Sequence, residues 1–292
     1  MQMSTLGKTG MRVSRLGVGL AEIGQLSIGE QATVSELLNA ALDGGITFLD
    51  TAACYGNSEE LVGRTVAHRR HEYILATKAG HVTAGYSGQP WTRQTIRDSI
   101  ERSLKRMQAE FLDLVQLHSC DVETLEQGDV IQALLDAKKA GQTRFVGYSG
   151  DGAAAMWAVQ SGQFDTLQTS FNVADQGPRK ELLPLAKEKG MGVIAKRPIA
   201  NATWGARSAL PRETYHRRAE KMRSQGQIPG APGDPILLAL GFTLAHDEVD
   251  VAIVGTSNPA HMKANIKLVE TQLPLPAETI EELHRRFGAL GE

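Results

Sequence analysis

Eight short apolar runs, separated by amphipathic stretches, restrict this chain's fold more than any other feature of its sequence. The runs are "SRLGVGL" (14–20), "ITFLD" (46–50), "YILATK" (73–78), "LDLVQLH" (112–118), "TRFVGYS" (143–149), "TLQTSF" (166–171), "GVIAK" (192–196) and "DVAIVG" (250–255). Short, apolar and bounded by turn residues, they read as buried strands. Helical patterns fall between them at 30–43, 58–68, 92–108, 127–140, 152–161, 179–189 and 234–246; another begins near Pro259, and a last fills 277–289. A strand that returns through a helix pairs in parallel with its neighbour. Eight units of such even length favour closure, so the expected fold is α/β, a (β/α)8 TIM barrel, with an open doubly wound sheet as its competitor.

Boundary residues support this reading. Thr92 is a plausible N-cap, its hydroxyl accepting from an orphan helix N–H. Gly44 and Gly45 stop the first helix, and Gly141 and Gly190 take the same place later, each after a Lys-rich last turn (Lys138, Lys139, Lys187, Lys189) that complements the helix dipole. The opening "STLGKTGMRVSRLG" suggests a β-hairpin closing the barrel floor, and the last pattern an extra C-terminal helix. Some forty residues after "GVIAK" precede the next strong helix, which reads as a functional lid or insert. No linker or low-complexity tract interrupts residues 1–292, which read as a single domain.

The net charge of −2 gives no electrostatic reason to expect nucleic acid or anionic lipid as partner. No apolar run approaches the roughly 20 residues that span a bilayer, and the start "MQMSTLGKTGMRV" lacks a secretory apolar segment. Cys54 and Cys120 form neither a disulfide framework nor a metal-spacing motif. The expectation is a cytoplasmic protein without metal, nucleic-acid or membrane partner; the oligomeric state stays open.

In a closed α/β barrel, chemistry sits where strands end. The polar residues at those ends are Asp50, Lys78, His118, Ser149, Gln168 and Lys196, with Tyr55 just past the second strand. Each alone has an ordinary explanation: a loop cap, a stray strand-end cation, a satisfied core histidine, a packed phenol with a wet hydroxyl. An acid, a phenol, a cation and an imidazole at successive mouth positions are hard to explain by folding, because a buried Lys–Asp pair rarely stabilises more than apolar residues of similar volume.

The stretch "FLDTAACYGNSEELVG" resembles the aldo-keto reductase signature, with its aspartate, its tyrosine five residues on and its Ser-Glu after the turn. Lys78 in "ILATK" and His118 in "LDLVQLH" match the rest of that family's catalytic set, and the resemblance runs on to "VAIVGTSNPAHMKANI". It implies reversible hydride transfer between a nicotinamide and an aldehyde or ketone. Tyr55 would supply the proton, Lys78 would lower the phenol pKa, Asp50 would hold Lys78 charged, and His118 would orient the carbonyl. "GVGLAEIG" (17–24) lacks the glycine spacing of a Rossmann site. The family instead lays its dinucleotide across the mouth, where Ser149 and Gln168 would hold the carboxamide. The turn with Gly255, Thr256, Ser257, His261 and Asn265 would hold the adenosine phosphate at a helix start.

Three departures stand out. Gly150 follows Ser149 where the family has asparagine. Lys196-Arg197-Pro198 stands where the family offers a nicotinamide-stacking aromatic, so the Arg197 guanidinium is a candidate planar substitute. His261, with Ser257 and Lys263 nearby, replaces the usual arginine for a 2′-phosphate, which leaves NADP(H) favoured and NAD(H) possible. The rival functions are a Schiff-base lyase using Lys78 and a nicotinamide-binding regulatory subunit with slow turnover. Candidate substrate contacts are His81, Tyr86, Trp91 and Trp204, for a small carbonyl or alcohol.

Overall fold

The computed structural model describes residues 1–204 and 213–291. Eight parallel strands close into a barrel: β3 (Leu16–Gly19), β4 (Phe48–Asp50), β5 (Ile74–Ala79), β6 (Leu112–His118), β7 (Thr143–Ser149), β8 (Thr166–Ser170), β9 (Gly192–Lys196) and β10 (Val251–Gly255), with β10 pairing back onto β3. The preceding β1 (Met3–Thr5) and β2 (Arg12–Ser14) form a separate antiparallel hairpin. The expected first strand therefore splits. Ser14 ends the hairpin, and its N–H donates to Thr47 Oγ1 at 2.9 Å while the Thr47 N–H donates to Ser14 Oγ at 2.9 Å. That exchange replaces barrel pairing at the start of both the first and second expected runs.

Around the barrel lie α1 (Gln31–Asp43), α2 (Ser58–Val66), α3 (Arg93–Met107), α4 (Val122–Gln127), α5 (Asp129–Lys139), α6 (Gly152–Ser161), α7 (Leu182–Glu188), α8 (Glu213–Arg223), α9 (Pro235–Leu244) and α10 (Pro259–Gln272), followed by the terminal α11 (Ala277–Gly288). Thr92 caps α3 as expected, accepting from the Thr95 N–H at 3.1 Å. Lys138 and Lys187 reach carboxylates just before the strand of the next unit, Asp165 before β8 at 2.7 Å and Asp250 before β10 at 3.2 Å. No helix among the described residues is long and apolar enough to cross a membrane.

The floor is sealed by the hairpin. Leu6, Met11 and Val13 pack against the inward-facing Phe48, Ala76, Leu114, Ile194 and Val251. Its turn approaches the barrel so closely that a Cβ on Gly7 (φ +47°) would stand 2.3 Å from the Gly192 nitrogen, so only glycine fits there.

Two helices were not expected from the sequence. The short α4 has its own cap, Asp121 accepting from the Thr124 N–H at 2.9 Å, and is parted from α5 by Gly128 at φ +78°. The long segment after β9 is not simply a loop, because it contains α8, whose eleven residues "ETYHRRAEKMR" are nearly all polar. That helix is held by the few residues it buries, Tyr215, Ala219 and Met222. The buried Arg286 of α11 pins its far end, donating to the carbonyls of Met222 (2.8 Å), Gly226 (2.7 Å) and Gln227 (2.9 Å). Residues 205–212 of the expected lid lie outside the described residues.

Candidate active site

Side chains alternate along a strand, so residues two apart share a face. Two positions on from the inward Phe48, Ala76, Leu114 and Ile194 stand Asp50, Lys78, Gln116 and Lys196. A polar layer therefore lies directly above the apolar floor and opens into a mouth cavity of about 980 Å³. Its walls include Asp50, Tyr55, Lys78, His118, Ser149, Gln168, Lys196, Arg197 and Gly255.

The centre of that layer is an ion pair. Lys78 Nζ lies 2.6 Å from Asp50 Oδ2 and donates to the Thr51 carbonyl at 2.8 Å, with both side chains at most 2% exposed. Asp50 also accepts from Gln168 Nε2 at 3.1 Å and, more loosely, from Gln116 Nε2 at 3.4 Å; Gln116 Nε2 donates to Gln168 Oε1 at 2.6 Å. Burial pulls the lysine pKa down, but the charge of Asp50 and the contact with Tyr55 outweigh it, so the amine is held above its ordinary value. Its ammonium sits 5.0 Å from the centre of the Tyr55 ring. The phenol itself is shifted opposite to the sequence expectation. Burial raises its pKa, and although Lys78 lowers it, Asp50 raises it again, leaving it above its ordinary value. An ammonium already neutralised by a carboxylate cannot overcome the loss of solvent.

The signature motif has a structural reason as well. A Cβ on Gly24 would stand 2.1 Å from the Tyr55 carbonyl oxygen, and the Asn57 N–H donates to Gly24 O at 3.1 Å, so the β3–α1 connection clamps the tyrosine loop. Ser58 Oγ donates to Leu20 O at 2.9 Å. Glu59, 1% exposed, accepts from Thr77 (2.7 Å) and Ser103 (2.6 Å), tying α2 to β5 and α3. The Ser-Glu pair thus fixes the frame that carries Tyr55.

His118, at the end of β6, meets Tyr55 edge-on with ring centres 5.5 Å apart, and His81 with centres 4.9 Å apart. Burial, then the charges of Lys78, His81, Lys196 and Arg197, drive its pKa down to about 2, so the imidazole is neutral. Trp91 stacks edge-on against His81 at 4.8 Å and braces it. Tyr86 turns away, donating to Asp98 at 2.6 Å, and Trp204 is buried in the core; both are loop anchors.

Lys196 and Arg197 were expected at this end of the mouth, but the residue that organises them was not. Asp151 accepts from the Ser170 N–H at 2.7 Å and stands 3.1 Å from Lys196 Nζ and 3.7 Å from Arg197 Nη1, while Arg197 donates to Ser170 Oγ at 2.6 Å. Burial alone would raise its pKa, yet Lys196 and these hydrogen bonds hold it below the usual carboxylate range. Of the expected phosphate turn, Gly255 lines the cavity itself. Thr256 accepts from the Asn258 N–H at 3.0 Å, and Asn258 caps α10. Ser257 is half-buried beside them, His261 is exposed, and Asn265 is buried one turn further along α10. Glu22, also missed, lies against Gly255: a Cβ there would meet its Oε2 at 2.2 Å.

The arrangement has close relatives. The model of the aldo/keto reductase family matches residues 15–285. The holo form of aldo-keto reductase AKR11C1 from Bacillus halodurans superposes with a TM-score of 0.84 at 27% identity, covering 98% of this chain and 96% of that one. L-galactose dehydrogenase of Arabidopsis thaliana is 29% identical over 97% of this chain and 93% of its own. L-glyceraldehyde 3-phosphate reductase of Escherichia coli is 27% identical over 91% and 87%. A closed barrel with these mouth residues, matched along nearly its whole length, belongs to the aldo/keto reductase family and is an oxidoreductase that uses a nicotinamide cofactor.

Proposed function

We propose that this chain reversibly reduces an aldehyde or ketone to the alcohol, with Tyr55 as proton donor, Lys78 and Asp50 as its electrostatic support, and His118 orienting the carbonyl. The observation that carries this reading is the buried 2.6 Å Lys78–Asp50 pair with the Tyr55 ring 5.0 Å from the ammonium. Burial keeps the phenol protonated and makes it a weaker acid, so its proton transfer relies on Lys78 stabilising the phenolate as it forms. The oxygen that gains charge during reduction takes its proton from Tyr55 Oη, and the phenolate left behind faces Lys78 Nζ. His118, neutral, adds a hydrogen bond to the same oxygen. The raised pKa of Lys78 argues against the lyase alternative, which needs an uncharged amine.

The cofactor supplies the hydride. The long mouth, running from Tyr55 to the bare backbone of Gly255 beside the start of α10, suits an extended dinucleotide. Ser149 and Gln168 would hold the carboxamide, and Arg197, steadied by Ser170 and Asp151, would support the ring. Lys196, Gly255, Thr256, Ser257, His261 and Asn265 would take the phosphates and adenosine. Burial raises the Glu22 pKa, which eases its proximity to a phosphate.

NADP(H) is the favoured form, with NAD(H) accepted. Lys263, close in sequence to His261 at the expected 2′-phosphate position, is engaged by Glu36 at 2.9 Å, but the pair is well exposed and a phosphate can displace the carboxylate. Glu36→Gln should therefore raise the NADPH-over-NADH ratio of kcat/KM by about two- to fivefold; an unchanged ratio would place the 2′-phosphate elsewhere.

Tyr55→Phe tests the main assignment. Carbonyl reduction should fall by about 10²–10⁴-fold, with nicotinamide binding, followed by fluorescence, intact. Retained turnover would remove Tyr55 as donor. Wild-type steady-state turnover also separates an enzyme from a slow cofactor-binding subunit. The substrate panel should begin with aldoses and three-carbon aldehydes, the classes named for the two dehydrogenase and reductase relatives.

A further inference from the structure

Cys54 precedes Tyr55 and has no part in the proton transfer, yet its Sγ lies 3.3 Å from His118 Nδ1. The direction of that contact is tied to which imidazole nitrogen carries the proton. For a neutral histidine one nitrogen donates and the other accepts, and the tautomer follows from what the partner of each can offer. We propose that Cys54 is a positioning residue that donates its S–H to His118 Nδ1 and so leaves the proton on Nε2, the nitrogen that must donate to the substrate carbonyl. This rests on the carbonyl-reductase reading above.

Three features support the direction of the bond. Burial raises the Cys54 pKa, with Lys78 opposing, so the sulfur keeps a proton to give. His118 Nε2 has no hydrogen-bond partner among the described residues, while His118 lines the mouth. The opposite tautomer would aim a lone pair at a carbonyl oxygen and waste the hydrogen bond. His81 packs edge-on against His118 with ring centres 4.9 Å apart, so turning the imidazole over would disturb that contact. Among the described residues, the thiol is the side chain placed to give the imidazole a hydrogen bond at Nδ1.

Nitrogen-15 NMR of the full chain with labelled histidine tests this, with the His118 signals assigned by their loss in His118→Gln. Wild type should show the Nε2–H tautomer, Cys54→Ala a mixture, and Cys54→Ser, whose hydroxyl also donates, the wild-type pattern. In carbonyl reduction kcat should fall about three- to tenfold in Cys54→Ala, the worth of one hydrogen bond, and recover in Cys54→Ser, with the cofactor KM unchanged. An Nδ1–H tautomer in wild type, an unchanged tautomer in Cys54→Ala, or a changed tautomer with kcat intact overturns the proposal. If the wild type reduces no carbonyl, it is the functional reading that fails, and the tautomer spectra still decide whether the thiol sets the proton's place.

Discussion

Phe48 and Asp50 lie on one strand and face the same way, as do Ala76 and Lys78 on the next, yet each pair meets opposite demands. The floor residues pack against one another and against Leu6, Met11 and Val13 of the hairpin, with no polar atom to satisfy. Two residues on, a carboxylate, an ammonium and two amides are nearly as buried and must find partners in one another, which they do through contacts of 2.6 to 3.4 Å that leave Gln116 Oε1 alone without one among the described residues. The floor stabilises the fold by removing apolar area from water. The mouth contributes little net stability for its desolvation, and that expense makes sense only if the layer does chemistry. The same strands serve both because their pitch carries a residue of either kind to the same face.

The strongest way to break this division is to neutralise the pair. Lys78→Met should abolish most carbonyl reduction and also destabilise the chain by about 3–5 kcal/mol, because Asp50 is left buried without its cation. Adding Asp50→Asn removes the stranded charge while keeping one of the two oxygens to which the amides of Gln116 and Gln168 separately donate. The double variant should recover most of the stability and none of the activity, as read by urea midpoint and nicotinamide absorbance. A double variant that stays as unstable as the single one would show that the ion pair itself holds the barrel together.

Phe48→Ala probes the other region. Its cost should be about 3–5 kcal/mol from lost transfer energy and an unfilled cavity, and in the folded fraction kcat should stay within a few-fold of wild type. A collapse of kcat out of proportion to the folded fraction would mean that the floor sets the geometry of the polar layer.

The two regions also differ in how far the sequence reveals them. The barrel was legible because a buried parallel strand must be apolar and a returning helix amphipathic, so the period alone marks them. The helix α8 was not, since most of its residues are polar and its anchors, Ala219 and Met222, make sense only once Arg286 closes over them. At the mouth, Asp50, Lys78 and His118 were legible as polar breaks at the ends of apolar runs. Gln116 shared that signal, two residues before His118. Asp151 did not, because the lysine it steadies is 45 positions away. The direction of the Tyr55 shift was also out of reach, since a sequence shows an ammonium near a phenol but not how deeply both are buried.

Acid should separate the regions by the smallest margin, and only at the mouth. In the unfolded chain the His118 imidazole takes up a proton as the pH falls through about 6.5, whereas in the fold it does so only near about 2. The unfolded state therefore binds the extra proton first. The stability tied to a neutral His118 is complete above about 6.5 and drains away below it, by up to about 1.4 kcal/mol per pH unit. His118→Gln should flatten that slope between pH 7 and 5, measured as the change in urea midpoint against wild type. His284, held down to about 4 beside His246, adds a slope of the same sign but is present in both proteins, whereas His81, also lowered by burial, packs on His118 and responds to the substitution, so the difference reports the His81–His118 pair. Phe48→Ala, which removes apolar packing from the floor and no titrating group, should lower the midpoint equally at both pH values and leave the wild-type slope in place. A slope that survives His118→Gln would mean that the imidazole is not kept neutral, and with it would go the reason for placing a hydrogen-bond donor rather than a second cation beside Tyr55.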